Sequence, residues 1–361
     1  MLPYYVMLLV VVGLAAVSPL WERQKARFSG HKQWSGGESE RLTFIEIIAV
    51  CVLVVFSAVR FGIGTDFSAY AGLYGAVNTG DWGGTIASTP QELGYTLLTL
   101  ITKTLSDNPQ AIFWSTSILT VVLCTAALKL QQGSFAIAVF FYVALAYYVG
   151  PFNTVRQGIA VGLALWAAVM FSRNRAVFVV LIVLAMSFHV SAVAFAVVFL
   201  LTRRVNPSVG LLAGGVLFGV LVAFAIPRIP QLGLFLNRIN DRYDAYLEPA
   251  PTGVGTYLMI LFKVFLIVYV LLLTRGLGVN RHYQVLAIVS VAILVAGTSF
   301  KYLARLEPFF GIFIVLALSE ALTVTKDRTT HLVVLGSASL IYFGLYLANY
   351  GGLLPYTTVL G

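Results

Sequence analysis

The chain has 361 residues, of which 59% are hydrophobic and only 10% charged, whereas a soluble domain carries charge on roughly a quarter of its residues. So few charges cannot clothe a water-soluble surface of this size, which excludes a soluble enzyme. The formal charge of +9 is scattered through short loops between apolar runs instead of gathered on one basic face, which excludes a nucleic-acid partner.

The first apolar run, Leu2 to Leu20, has no basic residue before it and Trp21-Glu22-Arg23-Gln24-Lys25-Ala26-Arg27 after it. That order is the reverse of a cleaved signal peptide, so the run is expected to remain as a spanning helix with its start outside. Further spanning helices are predicted near 42–59, 110–129, 134–149, 154–171, 209–226, 256–274, 282–299, 303–322 and 330–348. Two segments fit less simply. Glu92 to Leu105 is amphipathic and about half the spanning length. The stretch 176–201 is overlong and carries Ser187-Phe188-His189 near its middle, which reads as two short helices meeting at His189, as broken helices do where they line a cavity. Cys51 and Cys124 lie within apolar runs and give no disulfide or metal signature. The expected fold is all-α: a polytopic membrane bundle of about 10–12 spanning helices, some short, broken or re-entrant. It forms one domain over 1–361, with outer loops 60–91 and 227–255 as a vestibule.

Loop charges orient this bundle. With residues 21–41 in the cytoplasm and 92–105 interfacial or re-entrant, fourteen Lys and Arg fall inside and eight outside, with Lys263 within a helix. This satisfies the positive-inside rule. If 92–105 spans, everything after it flips, and the downstream bias becomes seven inside against nine outside. In the favoured arrangement Asp66, Asp81, Glu92, Asp107, Asp241, Asp244, Glu248 and Glu307 all fall at or near the outer side, as an outward-facing reaction site or ordinary salt-bridged loops would both require.

Four outer segments could carry chemistry. In Arg60-Phe61-Gly62-Ile63-Gly64-Thr65-Asp66 the glycines allow a sharp turn that aims Asp66 into a cavity; the plainer reading makes Asp66 a helix N-cap. Glu92 in Pro90-Gln91-Glu92-Leu93-Gly94-Tyr95 either reacts or favours a helix N-terminus. Arg156, in Asn153-Thr154-Val155-Arg156-Gln157, opposes the dipole of the helix it opens. Its planar fork suits phosphate or carboxylate, with snorkelling to headgroups as the rival explanation. Lys301 and Arg305 are spaced to share one face if a helix begins there, and Glu307 or a bound anion is needed to relieve their repulsion. The loop Arg238-Ile239-Asn240-Asp241-Arg242-Tyr243 is a lid over a sugar or a solvated loop. His189 is a hydrogen-bonded core residue or a functional one. Lys263 is expected to pair with a buried carboxylate such as Glu46 or Glu320. No Gly-rich phosphate loop, HExxH, CxxC or GxSxG pattern occurs, which leaves nucleotide-driven transport and serine or zinc chemistry without support.

Arg60-x-x-x-Gly-Thr-Asp-Phe-x-x-Tyr70, Glu92-x-Gly-Tyr, Val-Arg156-Gln-Gly-Ile-Ala, Phe-His189-x-Ser-Ala, Lys301-Tyr-x-x-Arg305 and a final Leu-Pro-Tyr356 follow one another over nearly the whole chain. In order and spacing they resemble the EpsG family, bacterial exopolysaccharide proteins grouped with Wzy-type polymerases. Phe67 departs from the pattern, where tyrosine is common. The resemblance implies a membrane glycosyltransferase of GT-C-like architecture in the bacterial inner membrane. Such a protein moves a glycan from undecaprenyl pyrophosphate to a hydroxyl of a lipid-linked repeat unit at the periplasmic face. By position it carries over Asp66, Glu92 and Arg156, expected as catalytic residues, and Arg60, Tyr70, Gln157, His189 and Arg305, expected as substrate contacts, with no metal and no cofactor; Lys301, Arg242 and Tyr243 are expected substrate contacts from the residues themselves. Implied partners are the undecaprenyl-pyrophosphate-linked oligosaccharide, membrane lipids, and polysaccharide export or chain-length proteins. Two alternatives stay open: a glycosyltransferase using lipid-phosphate sugars, and a lipid-linked oligosaccharide flippase, although no internal repeat favours a transporter.

Overall fold

The computed structural model describes residues 1–28, 41–131, 133–225, 228 and 253–359. These residues are predominantly helical, and no strand occurs among them. The helices are α1 (Leu2–Phe28), α2 (Phe44–Ala58), α3 (Phe67–Ala76), α4 (Trp82–Ser88), α5 (Leu93–Leu105), α6 (Gln110–Leu130), α7 (Phe135–Ala144), α8 (Val155–Met170), α9 (Arg175–Phe188), α10 (Ala192–Thr202), α11 (Val209–Ala225), α12 (Val254–Leu273), α13 (Arg281–Ala296), α14 (Lys301–Ala304), α15 (Glu307–Gly311), α16 (Phe313–Val324) and α17 (Arg328–Asn349). Five of these apolar stretches are long enough to cross a membrane unaided, and shorter apolar helices fill in between them, so the protein is a polytopic helical membrane protein. Its contacts divide into two compact units, residues 1–193 with 336–361, and residues 194–335.

In the first unit α8 is apolar around nearly its whole circumference and is buried accordingly. It packs closely on α6 because Gly158 and Gly162 present no side chain. A Cβ at Gly158 would lie 3.3 Å from Thr120 Cγ2 of α6, and one at Gly162 would lie 3.0 Å from Leu123 Cβ. This four-residue spacing of small residues suits association within a membrane, where close packing holds helices together. α6 in turn packs on α2, and α1 on α2 and α7.

Polar contacts at the helix ends fix which ends share a face. Gln110 Nε2 donates to the carbonyls of Ala58 (2.5 Å) and Arg60 (3.0 Å), so the end of α2 and the start of α6 lie together. At the opposite ends, the Ser18 and Thr43 hydroxyls are 2.6 Å apart, Lys129 Nζ is 2.8 Å from Glu46 Oε1, and Arg173 Nη2 donates to Leu130 O at 3.3 Å. Residues 61–109 therefore leave one face and return to it, and α5 makes no net crossing. The arrangement in which 92–105 flips everything downstream is excluded. The break predicted at His189 is present: α9 ends at Phe188 and α10 begins at Ala192. With 14 and 11 residues, these helices rise about 21 and 16 Å, each short of the ~30 Å hydrocarbon core.

The span predicted over 134–149 is helical only to Ala144. Ala146 takes a φ of 65°, a left-handed conformation that costs an alanine roughly 1–2 kcal/mol, and Tyr148 N donates back to Tyr142 O at 3.1 Å. Tyr148 is thereby turned inward, and its phenol donates to Leu53 O at 2.6 Å.

In the second unit α13 packs against α11, α12, α15 and α16. The predicted helix over 303–322 is interrupted, because Pro308 lacks the N–H that would continue a helix and instead occupies the first turn of α15. Lys263 pairs with Glu307 and not with Glu46 or Glu320. Glu46 is taken by Lys129 and also closes a capping box with Thr43, while Glu320 accepts from Asn280 N at 2.8 Å. Arg305 and Leu306 separate α14 from α15, so no continuous helix runs from Lys301 to Glu307.

Candidate functional site

The site is built on the loop that follows α2. Arg60 is 2% exposed, with its guanidinium carbon 4.4 Å from the Phe152 ring centre and 5.1 Å from that of Phe113. Nη1 donates to Ser57 O, to Ser57 Oγ at 3.2 Å and to Ser117 Oγ at 3.5 Å. Burial pushes the guanidinium down to about 10, so it remains a cation at neutral pH, held by hydroxyls, a carbonyl and aromatic faces, with no carboxylate paired to it among the described residues.

Residues 351–359 return to this loop as a strap. Phe61 N donates to Thr357 O (3.0 Å), Val359 N to Val59 O (3.0 Å) and Gly64 N to Gly352 O (3.1 Å), and Arg60 bridges Thr358. Tyr356 stacks on Phe56 at 4.2 Å and donates to its carbonyl at 2.6 Å. Tyr4, from the start of α1, donates to Leu353 O at 2.7 Å.

Asn153 ties this strap to the turn before Asp66. Its Oδ1 accepts from Thr65 N at 2.6 Å and from Thr65 Oγ1 at 3.1 Å, while Nδ2 donates to Gly351 O at 3.1 Å. Glycine is required on both sides of the clamp. Gly64 and Gly351 have φ of 98° and 69°, and an added Cβ would lie 2.9 Å from Asn153 Oδ1 or 2.1 Å from Nδ2. Asn153 sits three residues before Arg156, so one amide fixes the Asp66 turn against the start of α8.

Asp66 occupies the N-cap position of α3, yet its side chain makes no capping bond. Oδ1 accepts only from Thr65 Oγ1 at 3.2 Å, and among the described residues Asp66 forms no ion pair. One turn further on, Tyr70 is on the same face of α3 and hydrogen-bonds Arg156. Burial raises the Tyr70 phenol above its usual range; Arg156 opposes this and nearby Asp66 adds to it, so the phenol stays protonated. Arg156 also pairs with Glu92, which precedes α5, and the two side chains keep 26% and 23% of their surface open. Tyr95 completes the group, 6.0 Å from the Tyr70 ring and 5.9 Å from the Arg156 guanidinium. Glu92 is thus an anion within the chain that offsets Arg156 at its helix start. A guanidinium has five N–H donors, and the open part of this one can meet a second anion.

The remaining residues fall as follows. Gln157 is enclosed in the bundle at 3% exposure, and like Arg60 it presents almost no surface to a ligand. His189 is half-buried at the α9–α10 break, its Nδ1 accepting from Ser191 N at 3.3 Å. A Cβ at Gly94 would lie 2.4 Å from Ser187 Oγ, so the chain just past Glu92 touches the chain just before His189. Arg305 is exposed between α14 and α15, in the second unit. Arg242 and Tyr243, with most of the loop 227–255, lie outside the described residues. Among the described residues, no three His, Cys, Asp or Glu side chains come together to hold a metal. Asn153 and Tyr95 were not singled out from sequence, although both stand inside the quoted motifs.

The chain is thus a membrane-embedded helical protein in which Asp66, Tyr70, Glu92 and Arg156 lie together at one end of its first bundle. The EpsG family model matches residues 43–358, and the chain belongs to that family, one of Wzy-type polysaccharide polymerases. Comparison with curated proteins and with solved structures gave no match.

Asn153→Ala is expected to lower kcat by about tenfold or more with little change in KM, because small misplacements of reacting groups are costly. Asn153→Asp keeps the acceptor for Thr65 and loses the donor to Gly351, so it should fall between alanine and the wild type. Steady-state polymerisation in proteoliposomes measures this, and an unchanged kcat for Asn153→Ala would remove the clamp from catalysis.

Proposed function

We propose that the protein transfers a glycan from undecaprenyl pyrophosphate to a hydroxyl of a lipid-linked repeat unit, at the periplasmic face of the bacterial inner membrane. The observation that carries this reading is an N-cap aspartate that caps nothing, held by the Asn153 clamp one helical turn from the Tyr70–Arg156–Glu92 group. Asp66 accepts the proton of the acceptor hydroxyl as its oxygen attacks the anomeric carbon. The bond from that carbon to the phosphate oxygen breaks, and the pyrophosphate leaves with the electron pair. Open donors of Arg156 meet the developing charge, while Glu92 and Tyr70 hold the guanidinium in orientation. Arg60 and Gln157, being enclosed, position the wall beneath. His189, Lys301, Arg305, Arg242 and Tyr243 are the further substrate contacts of this reading. Chain-length or export proteins are its further partners.

Purified protein in proteoliposomes, supplied with lipid-pyrophosphate-linked repeat units, should yield a ladder of lengthening glycans. A single addition from a lipid-monophosphate sugar, or transbilayer movement without any new glycosidic bond, would replace this reading with a glycosyltransferase or a flippase. The orientation rests on the excess of basic residues on the opposite face. In a background lacking Cys51 and Cys124, a cysteine at Ser88 should react with an impermeant thiol reagent from outside and one at Ser172 should not. Outside labelling at Ser172 would invert the protein and move the site to the cytoplasm.

A further inference from the structure

Beyond the ionisable group, a cavity of about 370 Å³ opens between the end of α3, α4 and the segment leading to Glu92, within the ~300–1,000 Å³ range of small-molecule sites. Leu73 and Ala76 give it an apolar wall, while Asn78, Asp81, Thr89 and Gln91 supply polar groups. The backbone leaves part of each polar group unengaged. Asn78 uses its side-chain Oδ1 for Gly80 N at 2.9 Å, and Asp81 uses Oδ1 for Gly84 N at 2.8 Å. The Asn78 amide nitrogen, Asp81 Oδ2 and the side chains of Thr89 and Gln91 take no hydrogen bond among the described residues.

The lining contains one carboxylate and no cation. The nearest basic side chain on α5, Lys103, is directed to Asp107 at 3.6 Å and to the Tyr74 ring at 5.2 Å. Mixed donors and acceptors beside an apolar wall match a sugar ring, and the carboxylate repels an acidic one. The position is equally specific. Gln91 immediately precedes Glu92, and α3, with ten residues and therefore about 15 Å long, carries Asp66 at one end and the cavity at the other.

We propose that this cavity is a subsite for an uncharged, hydroxyl- or amide-bearing sugar of the glycan, one α3 length away from the reacting hydroxyl. It rests on the polymerase reading above, and it gives that reading a remote contact whose binding energy aids the reaction centre.

The probe is the lipid-free oligosaccharide released by mild acid from the cell's own lipid-linked repeat unit, with binding to the full-length protein in nanodiscs read by saturation-transfer NMR. Ala76→Trp and Ser88→Trp fill the cavity from exposed positions, so the fold should survive. Both are expected to abolish the signal and to raise KM for the lipid-linked repeat unit. Gln91→Ala should weaken binding, and Asp81→Asn should retain it while keeping the α4 cap. The same oligosaccharide oxidised at its primary alcohols to carboxylates should bind about tenfold more weakly, a like-charge penalty that Asp81→Asn relieves. Undiminished binding to both tryptophan variants, or no binding to the wild type, overturns the proposal. Binding needs no turnover, so the subsite is judged separately from the mechanism: normal polymerisation by Asp66→Asn would overturn the catalytic reading alone.

Discussion

Asp66→Asn is expected to abolish the glycan ladder, with turnover falling by the ~10²–10⁴-fold typical of a lost general base. The substitution is nearly isosteric, and because the aspartate makes no capping bond, removing its charge takes no support from α3. Thermal stability in detergent should therefore match the wild type, and the lipid-free oligosaccharide should still bind. This combination separates the two readings that sequence left open for Asp66. A capping residue tolerates asparagine, itself a good cap, whereas a base does not. Full activity of Asp66→Asn would remove the residue from catalysis.

Arg156→Ala should cost about 10²–10³-fold in kcat, the loss seen when one charge-stabilising donor is removed from a reaction centre. Its pairing with Glu92 complicates that experiment, because alanine also strands a partly buried carboxylate. The double variant Arg156→Ala, Glu92→Ala resolves it. If the arginine only neutralises Glu92, deleting both restores activity; if it meets the leaving pyrophosphate, the double variant stays as inactive as the single one. Arg156→Lys should recover little, since an ammonium lacks the planar fork that can hold Glu92 and a phosphate at once. Glu92→Gln should keep partial activity through the remaining hydrogen bond. Near-normal turnover with lysine at 156 would reduce the residue to a diffuse positive charge.

The helices and the break at His189 were legible because apolar length and interrupted periodicity are local properties. Arg156 stood out for the same reason, since a cation in the first turn conflicts with its own helix dipole. Its partner was not legible, because Glu92 lies 64 residues away and no local rule chooses among distant carboxylates. Lys263 illustrates this limit: Glu46 and Glu320 were the acids expected from sequence, and packing pairs it with Glu307 instead. The early end of α7 was hidden because alanine rarely adopts φ above zero, and nothing around Ala146 announces that it will. The fate of 92–105 turned on Gln110, a polar side chain whose two carbonyl acceptors identify the face to which the chain returns.

The strap formed by residues 351–359 has a consequence for the order in which the protein is made. It meets Phe56 and Phe61 across sequence separations of 300 and 296 residues, and the ribosome reaches it only after α17. Until then the turn bearing Asp66 lacks its pairing to Gly352 and half of the Asn153 clamp, although every carboxylate and arginine named above has already been inserted. A chain stopped before residue 351 therefore contains Asp66, Glu92 and Arg156 without this pairing. On the polymerase reading, activity depends on residues 351–359 being paired with the Asp66 turn.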